Sequence, residues 1–173
     1  MPYLYHAVPR NMTGTVLYPL NRQREFNEEL YEAHAKKYQG REKLMEERIP
    51  LLDNCLWNDV LFLAAVHPAQ FRAAFESAGY VRPRPFKAFR FDVAGLDLAS
   101  MAVITKMRAD EPMVFEAFAP QRLDEYAAIP QATMDYWRRA RAAGEDRPFL
   151  YLHIPHILYL GNLDTATASV VEA

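Results

Sequence analysis

The sequence has a single cysteine, Cys55, so it cannot form an internal disulfide. Sparse cysteine is typical of proteins in reducing compartments, and we expect a cytoplasmic protein. No apolar run approaches the roughly 18 residues of a membrane-spanning helix. The first residues also lack the basic segment and apolar stretch of a secretory signal. We therefore expect no membrane association.

A strong charge of either sign is also missing. The 20 lysine and arginine residues and 22 aspartate and glutamate residues leave a formal net charge of −2. Both signs are mixed along the chain, whereas a nonspecific nucleic-acid binder carries a basic surface. We therefore expect no strong nonspecific binding of nucleic acid.

Repeats, low-complexity tracts and Gly/Ser linkers are absent from the sequence as well. With 173 residues, of which 51% are apolar, the chain is long enough to bury a core of its own. We expect a single domain over residues 1–173.

The predicted elements mix strands with helices. Strands are expected over 3–8, 60–66, 87–93, 101–106, 113–118, 149–154 and 157–160. Helices are expected over 22–39 with Asn21 as its cap, over 68–78 and over 130–143, with a further helical piece before Pro50 and a polar tail after Gly161. Several gaps between strands are too short for a helical crossover. The pattern predicts an α+β fold with a bent, mainly antiparallel sheet, strand 3–8 at its centre, and flanking helices.

His6 is the first candidate site residue, because an apolar, strand-like run holds it near its C-terminal end. Tyr5 precedes it, and the next turn carries Arg10, Asn11 and Thr13. These hydrogen-bonding groups suit a ribose or a diphosphate. A lone histidine at a strand end also serves as a structural hydrogen-bonding residue, and both interpretations stay open.

Four phrases in this order resemble small ADP-ribosyltransferases of the rifampin ADP-ribosyltransferase type. They are Tyr5-His6 followed after seven residues by Gly14-x-x-Leu17-x-Pro19, the strand and helix over 60–78, the strand over 86–95 ending in Val-x-Gly, and the acidic phrase over 125–130. Two further phrases, over 56–60 and 153–158, are similar to uncharacterised bacterial proteins and bring no function with them.

The resemblance implies an ADP-ribosyltransferase-like fold and an enzyme that uses NAD, transferring ADP-ribose or hydrolysing NAD, with an undetermined small or macromolecular acceptor. In that interpretation Glu125 and His6 are catalytic. Glu125 stabilises the oxocarbenium-like state that forms when the nicotinamide–ribose bond breaks. His6 hydrogen-bonds the ribose, Tyr18 stacks on the nicotinamide, and Tyr5 and Arg10 complete the cofactor site.

A noncatalytic ligand-binding or protein-interaction domain on the same fold is the alternative. The family's second motif usually places a tyrosine in a strand, whereas this chain has Val60-Leu61-Phe62-Leu63 there. The long segment over 22–58 and the chain beyond the acidic phrase are further departures. The missing tyrosine favours the binding domain, whereas His6 and Glu125 favour the enzyme.

A metal-dependent hydrolase is a third hypothesis, based on His153 and His156. Pro155 prevents the two histidines from being neighbours on a helix, and in an extended segment a three-residue offset points them to opposite faces. We therefore expect no metal site. The polar stretch over 53–59 is either a turn built by Asn and Asp or a loop over a pocket, with Trp57 contacting a ligand and Asn58 or Asp59 directing it. Cys55 has no predicted catalytic partner.

Overall fold

Antiparallel strands form the centre of the fold in the computed structural model, which describes residues 2–81, 85–108 and 111–173. The strands are β1 (Tyr3–Ala7), β2 (Val16–Leu17), β3 (Arg48–Ile49), β4 (Cys55–Leu56), β5 (Val60–Leu63), β6 (Lys87–Asp92), β7 (Met101–Arg108), β8 (Glu111–Ala117), β9 (His156–Leu160), β10 (Leu163–Asp164) and β11 (Ser169–Glu172). The α-helices are α1 (Leu20–Phe26), α2 (Glu28–Ala35), α3 (Pro68–Ser77), α4 (Leu123–Ala127) and α5 (Gln131–Ala142).

Two antiparallel sheets make up most of this centre. One has the order β1-β6-β11, and the other has the order β5-β9-β7-β8. A pair of backbone hydrogen bonds between Tyr5 and Ala64, of 2.8 and 2.9 Å, joins β1 to the end of β5. β1 therefore lies between β6 and β5. The prediction of an α+β fold with antiparallel strands is confirmed.

Apolar side chains pack on both sides of this arrangement. The first cluster includes Leu4, Leu61, Val103, Ile157 and Tyr126. The second includes Ile49, Trp57, Ala102 and Leu158. The third includes Phe71, Phe75 and Trp137. Alternation along β5, β7 and β9 sends successive side chains into the first and second clusters, so the sheet is covered on both faces.

The prediction of one continuous helix over 22–39, capped by Asn21, is wrong. Asn27 adopts a non-helical conformation, with φ −155° and ψ 88°, and its side chain accepts a hydrogen bond of 3.0 Å from the Leu30 amide. Asn27 therefore ends α1 and caps α2. Asparagine suits this role because its side chain can bond a backbone amide in a non-helical conformation. Asn21 does not cap; its amide donates to Asp59 over 2.7 Å.

Two expectations for the C-terminal part are also wrong. The segment over 149–154 forms turns rather than a strand, with His153 at φ 66°. It is fixed from α5, whose Thr133 hydroxyl and Trp137 indole donate to backbone carbonyls of this segment. The segment after Gly161 is not a polar tail, since β10 pairs with β2 and β11 pairs with β6.

No helix within the described ranges is both long enough and apolar enough to cross a membrane.

Candidate functional site

His6 lies on β1 and is half-buried. Its Nδ1 is 2.7 Å from the carbonyl oxygen of Ala7, which can only accept, so Nδ1 carries the hydrogen and Nε2 is left as an acceptor. Burial lowers the pKa of His6 to about 4, and the positive charges of His34 and Lys37 act in the same direction. The ring is therefore neutral at physiological pH.

A groove opens where the chain leaves β1 and meets α1. Apolar atoms of Pro9, Met12, Leu17 and Leu30 line it, and Tyr18 and Phe26 stand at its edge. The two rings are stacked, with centroids 4.5 Å apart and planes 18° from parallel. The enclosed volume is about 40 Å³, little more than one water molecule's share of liquid volume, about 30 Å³.

Gln23 supplies a polar group in the lining of this groove. Its Nε2 donates to the carbonyl oxygen of Tyr18 over 3.0 Å, which fixes the side-chain amide. Its Oε1 is buried and has no hydrogen-bond partner. A buried acceptor without a donor is unfavourable, and widening of the groove would let a hydrogen-bond donor reach it.

His6 and the groove adjoin each other. Along the chain, Pro9 follows His6 by three residues and lines the groove. Along α2, Leu30 lines the groove, and His34 lies one turn further on, about 6 Å along the helix axis. The charge of His34 acts on His6. The groove thus lies between the end of β1 and α2, and His6 precedes its first lining residue by three positions.

Glu125 lies in a different region. It accepts a hydrogen bond from Arg122 over 2.9 Å, and Arg122 also pairs with Glu116 over 2.6 Å. The two carboxylates raise the pKa of Arg122. The acidic phrase over 125–130 forms no strand: it covers the end of α4 and the connection to α5. The glutamate is committed to this ion-pair network, and its side chain is 63% exposed.

The length of β1 separates these two regions. α4 and Pro2 line a common depression at the start of β1, whereas Pro9 lines the Tyr18 groove beyond its end. Five residues of antiparallel strand span about 17 Å. The structure thus places the Tyr18 groove beyond the end of β1 and places α4, which carries Glu125, near its start.

Tyr5 and Arg10 stand apart from the groove as well. Successive strand residues point to opposite faces, so Tyr5 faces away from His6. Its ring meets the edge of His67 at 5.2 Å between centroids, and burial raises its pKa. Arg10 is exposed in the turn after β1. The roles proposed for these residues and for His6, Tyr18 and Glu125 stay predictions.

His156 is held among aromatic rings on β9. Its Nδ1 donates to the carbonyl oxygen of Ile154 over 2.9 Å. The centroids of the Phe62 and Tyr151 rings lie 6.4 and 5.9 Å from the centroid of its own ring. Burial lowers its pKa. Within the described residues, no group of three or more His, Cys, Asp or Glu side chains is placed to hold a metal ion.

The polar stretch over 53–59 contains a hydrogen-bonded turn. Asp59 accepts from the Leu56 amide over 2.8 Å and from Asn21 over 2.7 Å. Asn58 is 1% exposed, and neither atom of its side-chain amide has a partner. Burial and the charge of Asp59 raise the pKa of Cys55, which keeps it a thiol.

The sequence pattern does not predict that two residues, His34 and Lys37, act on His6. His34 was expected on the packed face of a long helix, and Lys37 carried no prediction. Their relation to His6 depends on how α2 lies against β1, for which the sequence pattern has no signal.

No family model, no curated protein and no solved structure matches the chain. The resemblance to small ADP-ribosyltransferases therefore stays a prediction, and the geometry of the region between β1 and α2 has to carry the functional argument.

Proposed function

We propose that the protein is a binding domain for a ligand with a planar ring that carries an N–H donor, such as nicotinamide or adenine. The observation that supports this best is the groove beside Tyr18 and Phe26. Its apolar lining can contact the face of a ring, and the stacked rings of Tyr18 and Phe26 offer a further aromatic surface. Oε1 of Gln23, which has no partner, can accept a hydrogen bond from the ligand's N–H group once the groove widens.

The groove must widen for a ligand of this size, since small-molecule sites measure about 300–1,000 Å³. The helices that form its outer wall are lightly attached. Over residues 20–26, all of them described, no side chain is buried, and in α2 only Leu30 is buried. Segments with few buried apolar contacts open at low free-energy cost. Outward movement of α1 and α2 is therefore part of the proposal.

Thermal denaturation with nicotinamide, adenosine and NAD tests this proposal. A ligand that binds only the native state at about 100 times its Kd adds about 2.7 kcal/mol to the free energy of unfolding. For a chain of this size, that is a rise in Tm of roughly 5–10 °C. No rise with any of the three compounds at millimolar concentration contradicts the proposal.

Matched variants locate the binding. Phe26 and Phe149 are 58% and 57% exposed, so both can be changed to alanine with small effects on the core. Phe26→Ala and Tyr18→Ala should reduce the ligand-induced rise in Tm, while Phe149→Ala should leave it intact. Equal loss in the Phe26 and Phe149 variants excludes the groove as the binding site.

Catalysis on NAD, on a fold of the ADP-ribosyltransferase type, is the second candidate function. It is favoured by a neutral His6 on the central strand whose Nε2 is an unused acceptor. It also requires a carboxylate, and Glu125 would have to leave Arg122 to act. Release of nicotinamide from NAD, lost in both His6→Ala and Glu125→Gln, would support this function; release unaffected by Glu125→Gln would remove Glu125 from it.

A further inference from the structure

Phe149 is an exposed aromatic residue whose backbone is firmly held. The residue is 57% exposed. Its amide donates to the hydroxyl oxygen of Tyr136 over 3.0 Å, and its carbonyl oxygen accepts from the indole of Trp137 over 3.1 Å. Trp137 is fully buried, so α5 fixes the point from which the ring projects. The fold therefore presents this ring to solvent from a rigid position.

A guanidinium lies over the same ring. The Cζ atom of Arg41 is 5.7 Å from the centroid of the Phe149 ring, within the range of a cation–π contact. Arg41 is held from its other side as well, because its Nη2 donates to the carbonyl oxygen of Lys37 over 2.6 Å. A guanidinium has five N–H groups and Arg41 is exposed, so donors face solvent beside the ring. We refer to Arg41 and Phe149 as the ring–guanidinium pair.

Further arginines surround the ring–guanidinium pair. Arg139 follows Tyr136 by three residues, which places both on one side of α5. Arg147 precedes Phe149 by two residues, and both arginines are exposed. In the ranges that the structure describes, Arg41, Arg139 and Arg147 form no ion pair.

The acidic residues next to these arginines along the chain are mostly engaged. The carboxylate of Glu42 accepts from the Gly40 amide over 2.8 Å, and Asp146 pairs with Arg141 over 3.2 Å. Glu145 stays exposed and forms no ion pair with a described residue. Three unpaired arginines thus face one unpaired carboxylate in the described parts of these segments, so the surface is complementary to negative charge.

We propose that the ring–guanidinium pair anchors a docking site for an acidic segment of a partner protein. The ring of Phe149 can contact an apolar side chain of that segment, while Arg41 binds a neighbouring carboxylate through parallel hydrogen bonds. Aromatic residues and arginine are enriched in protein interfaces, and arginine is also frequent among the residues that dominate their binding energy. Because both side chains are already fixed, little conformational freedom is lost on binding.

A single-stranded nucleic acid is the other polyanion that basic and aromatic groups bind. Its sites stack successive bases on several aromatic side chains. Of the aromatic residues that the structure describes, only Phe26 and Phe149 are exposed, and Phe26 is stacked on Tyr18. One exposed ring among arginines therefore favours a peptide over a nucleic acid.

A titration with the peptide acetyl-Glu-Glu-Leu-Leu-Glu-Glu-amide, labelled for fluorescence anisotropy, tests the docking site. We expect saturable binding that weakens as the salt concentration rises. The peptide with Gln in place of each Glu should bind at least about tenfold more weakly, since it offers no carboxylate to the arginines.

Phe149→Ala and Arg41→Gln should each weaken binding of the acidic peptide about tenfold. Phe149→Ala keeps both hydrogen bonds to the backbone at this position, so its Tm should stay close to that of the unchanged protein. Phe26→Ala and Arg24→Gln are the matched controls, because Phe26 is 58% exposed and Arg24 lies 5.6 Å from the centroid of Tyr31. Neither control should change the affinity.

Any of four results overturns the inference. They are equal affinity for the Glu and Gln peptides, equal weakening in the control variants, no binding at millimolar peptide, and tighter binding of a short single-stranded oligothymidylate than of the peptide. Adenosine and nicotinamide report on the groove beside Tyr18, whereas the peptide reports on the ring–guanidinium pair. Either proposal can therefore fail while the other holds.

Discussion

The two helical layers of this fold are attached in different ways. α3 and α5 meet through rings, with Trp137 fully buried and 5.4 and 5.1 Å from the centroids of Phe71 and Phe75. α2 buries only Leu30, and α1, described over its whole length, buries no side chain. One layer is fixed by apolar packing, whereas the other covers a groove. The candidate site therefore lies under the helical layer with fewer buried side chains.

The largest expected effect comes from breaking the fixed layer. Trp137→Ala removes a fully buried indole and its hydrogen bond to the Phe149 carbonyl. We expect a loss of about 3–5 kcal/mol in the free energy of unfolding, measured by urea denaturation. A loss below about 1 kcal/mol would show that α3 and α5 are not the firmer layer.

An effect of intermediate size is expected when pH is lowered. It is a decrease in the free energy of unfolding that comes from His6 on β1. The pKa of His6 is about 4 in the folded protein and about 6.5 when unfolded. The unfolded chain thus binds a proton first as pH falls, so stability is complete above about 6.5 and declines toward about 4. The decline attributable to His6 is on the order of 2–3 kcal/mol.

Urea denaturation across this pH range measures the decline. His6→Gln should flatten the curve, because glutamine does not titrate. An unchanged curve in that variant would place the pKa of His6 near its ordinary value.

The smallest effect on global stability is expected from Asn27→Ala. The variant removes the cap of α2, worth about 1 kcal/mol. Because α2 is lightly attached, the loss should appear as faster amide exchange over 28–35 with little change in Tm. Equally faster exchange in α5 would contradict the separation between the two layers.

The sequence predicts the fold well where local pattern and packing agree. The alternation over 87–93 and the Pro68 and Pro130 helix starts correspond to β6, α3 and α5. It fails where a side chain competes with the pattern, as when Asn27 caps α2 inside an apparently continuous helix. The strand expected over 149–154 fails because α5 donates two side-chain hydrogen bonds to that segment.

The candidate site is predicted only in part for a related reason. His6 and Tyr18 are identifiable because each follows a recognisable strand or turn phrase. The electrostatic effect of His34 and Lys37 on His6 is not, since it depends on the placement of the helical segment that carries them. The separation of Glu125 from Tyr18 likewise depends on which end of β1 carries α4.

The most direct test is an amide NMR titration with adenosine, which carries a planar ring with an N–H donor. We expect the resonances of Tyr18, Gln23 and Phe26 to shift together with a single affinity, while those of α3 and α5 stay in place. Shifts confined to α3 and α5, or no shifts at millimolar adenosine, would contradict a ligand site in the groove beside Tyr18.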